Sequence, residues 1–178
     1  MGTGILICGL NGSGKSTLGK ALAERLQFHF IDNEDLYFPK TDSRYLYASP
    51  RTREEVTELL FHEINLYENF VFASVKGDYG ESFYPFLQYA ILLNVPKLTR
   101  LQRVRDRSFQ KFGVRALPGG DLYEREKSFF DLVCSRGEST VEDWVKELAC
   151  PILRMDGTRP IEENLDNILT ALQGKVEI

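Results

Sequence analysis

The sequence predicts a three-layer α/β fold, a five-stranded parallel sheet flanked by helices. Two observations carry this. Five short apolar runs, at residues 5–8, 28–31, 70–75, 89–95 and 152–155, are continuous rather than alternating in polarity, as strands buried on both faces of a parallel sheet must be. Between them lie stretches of helical periodicity, and strand–helix alternation folds into layered α/β structures with right-handed crossovers.

Each element has a local signal. Behind the first run, Lys15–Leu26 places Leu18, Ala21, Leu22 and Leu26 on one helical face. Thr52 and Glu55 form a capping box ahead of Val56, Leu59, Leu60 and Ile64. After the fourth run, Arg100, Arg103 and Arg107 recur at the i, i+3, i+7 spacing of one helical face. Thr140 and Asp143 read as a cap ahead of Trp144, Val145 and Leu148, and a closing helix is expected from about residue 160 to 172. Two segments, 35–50 and 109–121, exceed the usual length of α/β connections, and long loops in compact domains are usually functional.

The 178 residues are 43% hydrophobic and 27% charged, the composition of one soluble globular domain spanning 1–178. A formal net charge of −4 disfavours a nucleic-acid partner. No apolar stretch is long enough to span a bilayer, and the N-terminus lacks the basic start and cleavage site of a signal peptide. Three scattered cysteines, Cys8, Cys134 and Cys150, make no disulfide framework, so the expected compartment is the cytoplasm. His29 and His62, far apart, make no metal site.

The most specific signal is Gly9-Leu-Asn11-Gly12-Ser13-Gly14-Lys15-Ser16-Thr17, which fits G-x-x-x-x-G-K-[ST], the phosphate-loop (Walker A) pattern, between a predicted strand and a predicted helix. The glycines let the backbone turn tightly and aim successive N–H groups inward, and the helix N-terminus adds positive potential where phosphates sit. Lys15 is expected to reach the β- and γ-phosphates of ATP, and the Ser16 hydroxyl to ligate Mg²⁺. An ordinary helix start would have no use for a lysine at its positive end.

A phosphate loop alone does not name an activity. No Asn-Lys-x-Asp guanine signature occurs, and no apolar strand ends in Asp-Glu, so the standard arrangement of mechanical or AAA-type ATPases is missing. The second strand ends in acids, Phe30-Ile-Asp32-Asn-Glu34-Asp35, at the carboxyl edge where ligands of such sheets bind. Carboxylates there can hold Mg²⁺ through water or take a proton from an acceptor hydroxyl. Residues 97–115 hold seven bases and one acid. A cationic face leading into a glycine-rich loop reads as a mobile lid, whose arginine forks fit phosphoryl oxygens.

Together these residues resemble the small-molecule kinases of the P-loop NTPase superfamily: nucleoside-monophosphate, shikimate and gluconate kinases. Phe30-Ile-Asp32-Asn-Glu34 is similar to the aromatic-x-Asp-x-Asp segment of shikimate kinase, and Asp32-Asn-Glu-Asp-Leu-Tyr37 to the Asp-Gly-Asp-Asp-Leu-His segment of gluconate kinase. Ala73-Ser-Val-Lys-Gly-Asp-Tyr79 loosely echoes the Cys-Ser-Ala-Leu-Lys run of the latter. The chain departs from the group in three places. Lys76-Gly-Asp78-Tyr-Gly80 replaces the triple glycine of shikimate kinase, Tyr37 replaces a histidine, and the Asp-Gly-x-Pro-Arg of adenylate kinases is absent.

The resemblance implies a P-loop fold with an acceptor-side flap, about 33–69, and a lid, about 104–128. Asp32 would serve the Mg²⁺ side with Ser16, while Glu34, or else Asp78, would contact or deprotonate the acceptor. Arg103 and Arg107 match lid arginines, and Thr158-Arg159-Pro160 lies in the loop that holds the adenine ring. The acceptor pocket is expected among Glu34, Tyr37, Arg51, Arg53, Lys76 and Asp78, with Tyr37, Phe38, Tyr45 and Tyr47 as its aromatic wall or as plain flap packing. The expected reaction is transfer of the ATP γ-phosphate to a small sugar acid, polyol or nucleotide-like acceptor by a monomer or weak homodimer. The alternative is an ATP-dependent switch acting on a protein partner.

Overall fold

A computed structural model describes residues 2–173. Its centre is one parallel sheet of β1 (Gly4–Cys8), β2 (His29–Asp32), β3 (Phe70–Ala73), β4 (Leu87–Asn94) and β5 (Ile152–Asp156), in the order β2-β3-β1-β4-β5. The five apolar runs are these strands, displaced by a residue or two at their ends. In register, Ile5 lies beside Val71 and Tyr89, and Ile7 beside Ala73 and Ile91.

Because successive strand side chains point to opposite faces, the sheet divides the core in two. Ile5, Ile7, Val71, Ile91 and Leu93 face α1 (Lys15–Leu26) and α7 (Ile161–Leu172), meeting Leu18, Leu22, Leu165 and Ile168. Leu6, Cys8, Phe70, Phe72, Ala90 and Leu92 face the other way, onto Val56, Leu60 and Ile64 of α3 (Arg53–Leu66) and onto Val141, Trp144 and Val145 of α6 (Thr140–Val145). A strand apolar at every position is what two covering layers require.

The capping box of α3 forms with both halves present: Thr52 accepts from the Glu55 N–H, and Glu55 accepts from the Thr52 N–H. The cap expected at Thr140 does not. A turn in which the Thr140 N–H bonds Gly137 makes Ser139 the N-cap, with no side-chain cap bond, and Asp143 pairs instead with Lys146 at 2.9 Å. Both long loops are shorter than expected. Asp35 to Tyr37 belong to α2 (Asn33–Tyr37), which Asp32 caps by accepting from the Glu34 N–H at 2.9 Å. The arginine helix α4 (Lys97–Phe112) continues to a 3₁₀ turn, Gly113–Ala116. Beyond it runs α5 (Tyr123–Ser135), an unforeseen helix. Its apolar positions Leu122, Phe129 and Val133, with Glu126 between, do hold a helical spacing.

Arg100 corrects the reading of the arginine face. It is 3% exposed and turned inward, its guanidinium donating to the carbonyls of Val95 at 3.1 Å and Asn11 at 3.2 Å, and to Glu138 at 2.8 Å. It ties α4 and the residue-138 turn to the back of the Gly9–Gly14 loop. Arg100→Leu would leave buried carbonyls unpaired and is expected to cost about 2–4 kcal/mol, read as a lower urea midpoint at unchanged slope.

Candidate active site

β1 delivers the chain to the carboxyl edge of the sheet, where residues 9–14 turn into α1. Gly12 has φ +82, and a Cβ there would lie 2.3 Å from the Arg100 carbonyl oxygen, so only glycine fits. Gly14, at φ +95, is the N-cap of α1 in left-handed conformation, and the first turn of α1 holds no acidic residue. The free N–H groups of that turn and the helix dipole therefore present uncompensated positive potential. Lys15 folds over the loop and donates to the Leu10 carbonyl at 3.1 Å. Burial, then repulsion from the Arg107 guanidinium, brings the Lys15 ammonium down to about 8.

That value sets a pH dependence. Below about 8 the free protein carries Lys15 as a cation, and above it as an amine. Affinity for a polyphosphate is expected to fall as pH rises through that point, by up to roughly tenfold per unit. Binding near pH 9 should take up a proton, because a bound anion restores the ammonium. Calorimetry in buffers of different ionisation heat measures this uptake, and Lys15→Met should abolish it.

Lys15 and Ser16 open onto a cavity of about 680 Å³ at the carboxyl ends of β1, β2 and β3. Asp32, Glu34 and Tyr37 enter its wall from the end of β2 and from α2, Lys76 and Asp78 from the segment after β3, and Arg53 from the start of α3. Arg107 of α4 and Arg136, just past α5, close the far side. Lys15, Lys76, Arg107 and Arg136 make no ion pair among the described residues. Burial lowers the Arg136 guanidinium as well, and its side chain donates to the Asn11 amide oxygen of the loop. Arg136 was missed from sequence because it stands alone, flanked by Ser135 and Gly137.

Glu34 is held at the junction of several elements. Its carboxylate accepts from the Tyr47 hydroxyl at 3.0 Å, with Lys111 at 3.5 Å and Lys40 at 4.0 Å. Burial, then the Glu34 carboxylate, raises the Tyr47 phenol well above its ordinary range, which keeps it a donor. Asp78 differs: it is half exposed and paired with Arg53, which also donates to its carbonyl.

Two residues expected at the acceptor and phosphate positions do not reach this cavity. Arg51 is spent on the C-terminal carbonyls of α2, donating to Leu36 at 2.7 Å. Arg103 donates to the carbonyls of Gly157 at 3.1 Å and Gly12 at 3.4 Å, bridging the glycine loop to the loop after β5. In that second loop Thr158 bonds Asp156 through both its N–H and its hydroxyl, Arg159 pairs with Glu163 at 2.5 Å, and Pro160 begins α7.

The residues present fit a magnesium-bound triphosphate. The glycine cradle, an acid-free helix start and four cations without carboxylate partners among the described residues match a polyanion. Mg²⁺ bound to phosphates keeps most of its waters and takes one or two protein oxygens, which the Ser16 hydroxyl and Asp32 carboxylate on the same wall can supply.

Comparison with known proteins bears on the family and the fold. The family model "AAA domain" matches residues 5–113, from β1 through α4. Over 176 residues the chain is 28% identical to "Uncharacterized protein YqaC" of Bacillus subtilis (strain 168), covering 94% of this chain and 96% of that protein. In fold it is similar to shikimate kinase from Acinetobacter baumannii, with a TM-score of 0.60 and 21% identity over 99% of this chain and 97% of that one. It is also similar to a sugar kinase from Janibacter sp. HTCC2649, with a TM-score of 0.58 and 15% identity over 97% and 95% of the two chains. The AAA match qualifies the earlier reading: β3 does run into Ser74 and Val75 rather than Asp-Glu, yet the matched segment holds the whole phosphate loop. The chain belongs to the AAA domain family, and within it carries the three-layer P-loop fold of the small-molecule kinases.

Proposed function

We propose that this protein is a small-molecule kinase that transfers the γ-phosphate of Mg-ATP to an acceptor bound beside Glu34. The observation that carries the proposal is the convergence on one cavity of about 680 Å³ of four cations without carboxylate partners among the described residues, Lys15, Lys76, Arg107 and Arg136, with the carboxylates Asp32 and Glu34. A cavity built only to hold nucleotide has no need of a carboxylate aimed at its acceptor side.

In this reading Lys15 and Arg107 neutralise charge that develops on the transferred phosphoryl group. Mg²⁺, when bound, draws charge from the phosphate oxygens. Glu34 orients the acceptor hydroxyl and takes its proton, or positions an acceptor phosphate. Arg53, Lys76, Asp78 and Tyr37 line the acceptor side, and Thr158 to Pro160, with Arg103 above Gly157, hold the adenine. Residues 33–69 act as the acceptor-side flap and 104–128 as the lid, in a cytoplasmic enzyme whose cysteines stay reduced.

The test is ADP release from Mg-ATP over a panel of nucleosides, nucleoside monophosphates, sugar acids, shikimate-like polyols and aminoglycosides. An acceptor-dependent rise supports the reading. Tight ATP binding with no rise for any acceptor would overturn it in favour of a nucleotide-dependent switch on a protein partner.

A further inference from the structure

A second cavity, of about 340 Å³, adjoins the first and shares Glu34, Phe38, Arg107, Phe129 and Leu132 with it. Its remaining wall joins three aromatic rings, Tyr45 and Tyr47 from the loop after α2 and Phe112 at the end of α4, to Val104 and to the polar side chains of Ser108, Lys111, Glu126 and Ser128. Phe38 stands edge-on to Tyr47 at 5.0 Å between ring centroids, Tyr45 edge-on to Tyr47 at 5.6 Å, and Phe112 lies 5.4 Å from Tyr45. These contacts dock the loop on α4. A chamber remains between this cluster and Phe129 of α5. Its volume falls within the roughly 300–1,000 Å³ of small-ligand sites.

The chamber has one buried charged group. Glu126 is 8% exposed, and each of its oxygens accepts one hydrogen bond, from Tyr45 at 2.8 Å and from Ser108 at 2.7 Å. A carboxylate has about four lone-pair sites, so acceptor capacity remains on both oxygens.

Resting on the kinase reading, we propose that the acceptor carries a nucleobase, as a nucleoside or nucleoside monophosphate. The base fills the aromatic chamber, and its sugar or phosphate end reaches Glu34 and Arg107. A planar heterocycle offers two apolar faces to the rings and an edge of N–H donors to Glu126. A sugar acid or polyol has no planar apolar face to set against the rings, and its hydroxyls would lose water where they meet them.

The test is calorimetric titration of nucleosides, nucleoside monophosphates, gluconate and a shikimate-like polyol. It is run with a saturating non-hydrolysable ATP analogue and Mg²⁺, which fills the donor site. Base-bearing ligands are expected to bind and the others not to. Phe129→Ala, which removes one face of the chamber, should weaken binding by about 5- to 100-fold, and Glu126→Gln should change the preference among bases. Comparing nucleosides with their monophosphates tells a hydroxyl from a phosphate as the accepting group. Base binding without acceptor-dependent ADP release would support the chamber while sinking the kinase reading. A sugar acid or polyol that binds and is phosphorylated while no base binds would overturn the chamber assignment and leave the kinase standing. Base binding indifferent to Phe129→Ala, or no base binding at all, also overturns it.

Discussion

Lys15→Met is expected to lower acceptor-dependent ADP release by about 10³-fold. The side chain is the one cation carried by the phosphate loop itself, and its ammonium is already partly withdrawn from water, with a pKa near 8. A charge desolvated before the substrate arrives loses little solvation on contact with phosphate, and is worth more there than an exposed lysine would be. Most of the loss should appear in kcat, because charge on the transferred group and the leaving oxygen grows toward the transition state. The variant should still fold: Lys15 makes one hydrogen bond, to Leu10, and no ion pair among the described residues. Unchanged thermal melting beside lost turnover separates this outcome from unfolding. Full turnover in the variant would remove the phosphate loop from the chemistry.

Glu34→Gln should lower kcat by about 10²–10⁴-fold if the carboxylate takes a proton from an acceptor hydroxyl. The amide keeps the size of the side chain and can still accept from Tyr47, so the junction of α2, the 38–50 loop and α4 should survive. What disappears is the proton acceptor and the charge facing Lys111 and Lys40. The kinetic split decides between roles. A fall in kcat with little change in KM marks a base, whereas a rise in KM alone marks a group that only holds the acceptor. Glu34→Asp, shorter by one methylene, should recover part of the rate if proton transfer is the role. Asp78→Asn is the control: half exposed and engaged with Arg53, it should cost far less.

Much of this arrangement is legible along the chain, for reasons that lie in particular residues. Ile5 to Cys8 and Phe70 to Ala73 are apolar at every position, which only a strand covered on both faces tolerates, so the layer architecture followed from local composition. The glycine-loop motif carries its own geometry, since Gly12 and Gly14 adopt backbone angles that other residues resist and Lys15 follows at a fixed offset. Asp32 and Glu34 follow directly from β2, so strand direction alone takes them to the ligand edge.

The arginines were not legible in the same way. Arg100, Arg103 and Arg107 are equivalent by spacing, yet Arg100 is buried behind the glycine loop, Arg103 bridges two backbone segments, and Arg107 reaches the cavity. Their fates depend on which carbonyls the turns at residues 9–14, 95 and 157 bring within reach, and no helical periodicity contains that. Arg51 is drawn away by the open C-terminus of α2, a helix too short to announce itself. Arg136 and Glu126 gain meaning only because α5 packs beside α4 and the 38–50 loop folds onto both. By itself the sequence determined the sheet, the phosphate loop and the acidic strand end, since each follows from contacts within a few residues or from burial on two faces. The tertiary structure alone decided which cations converge without carboxylate partners and where an aromatic chamber opens, because those depend on contacts between segments tens of residues apart.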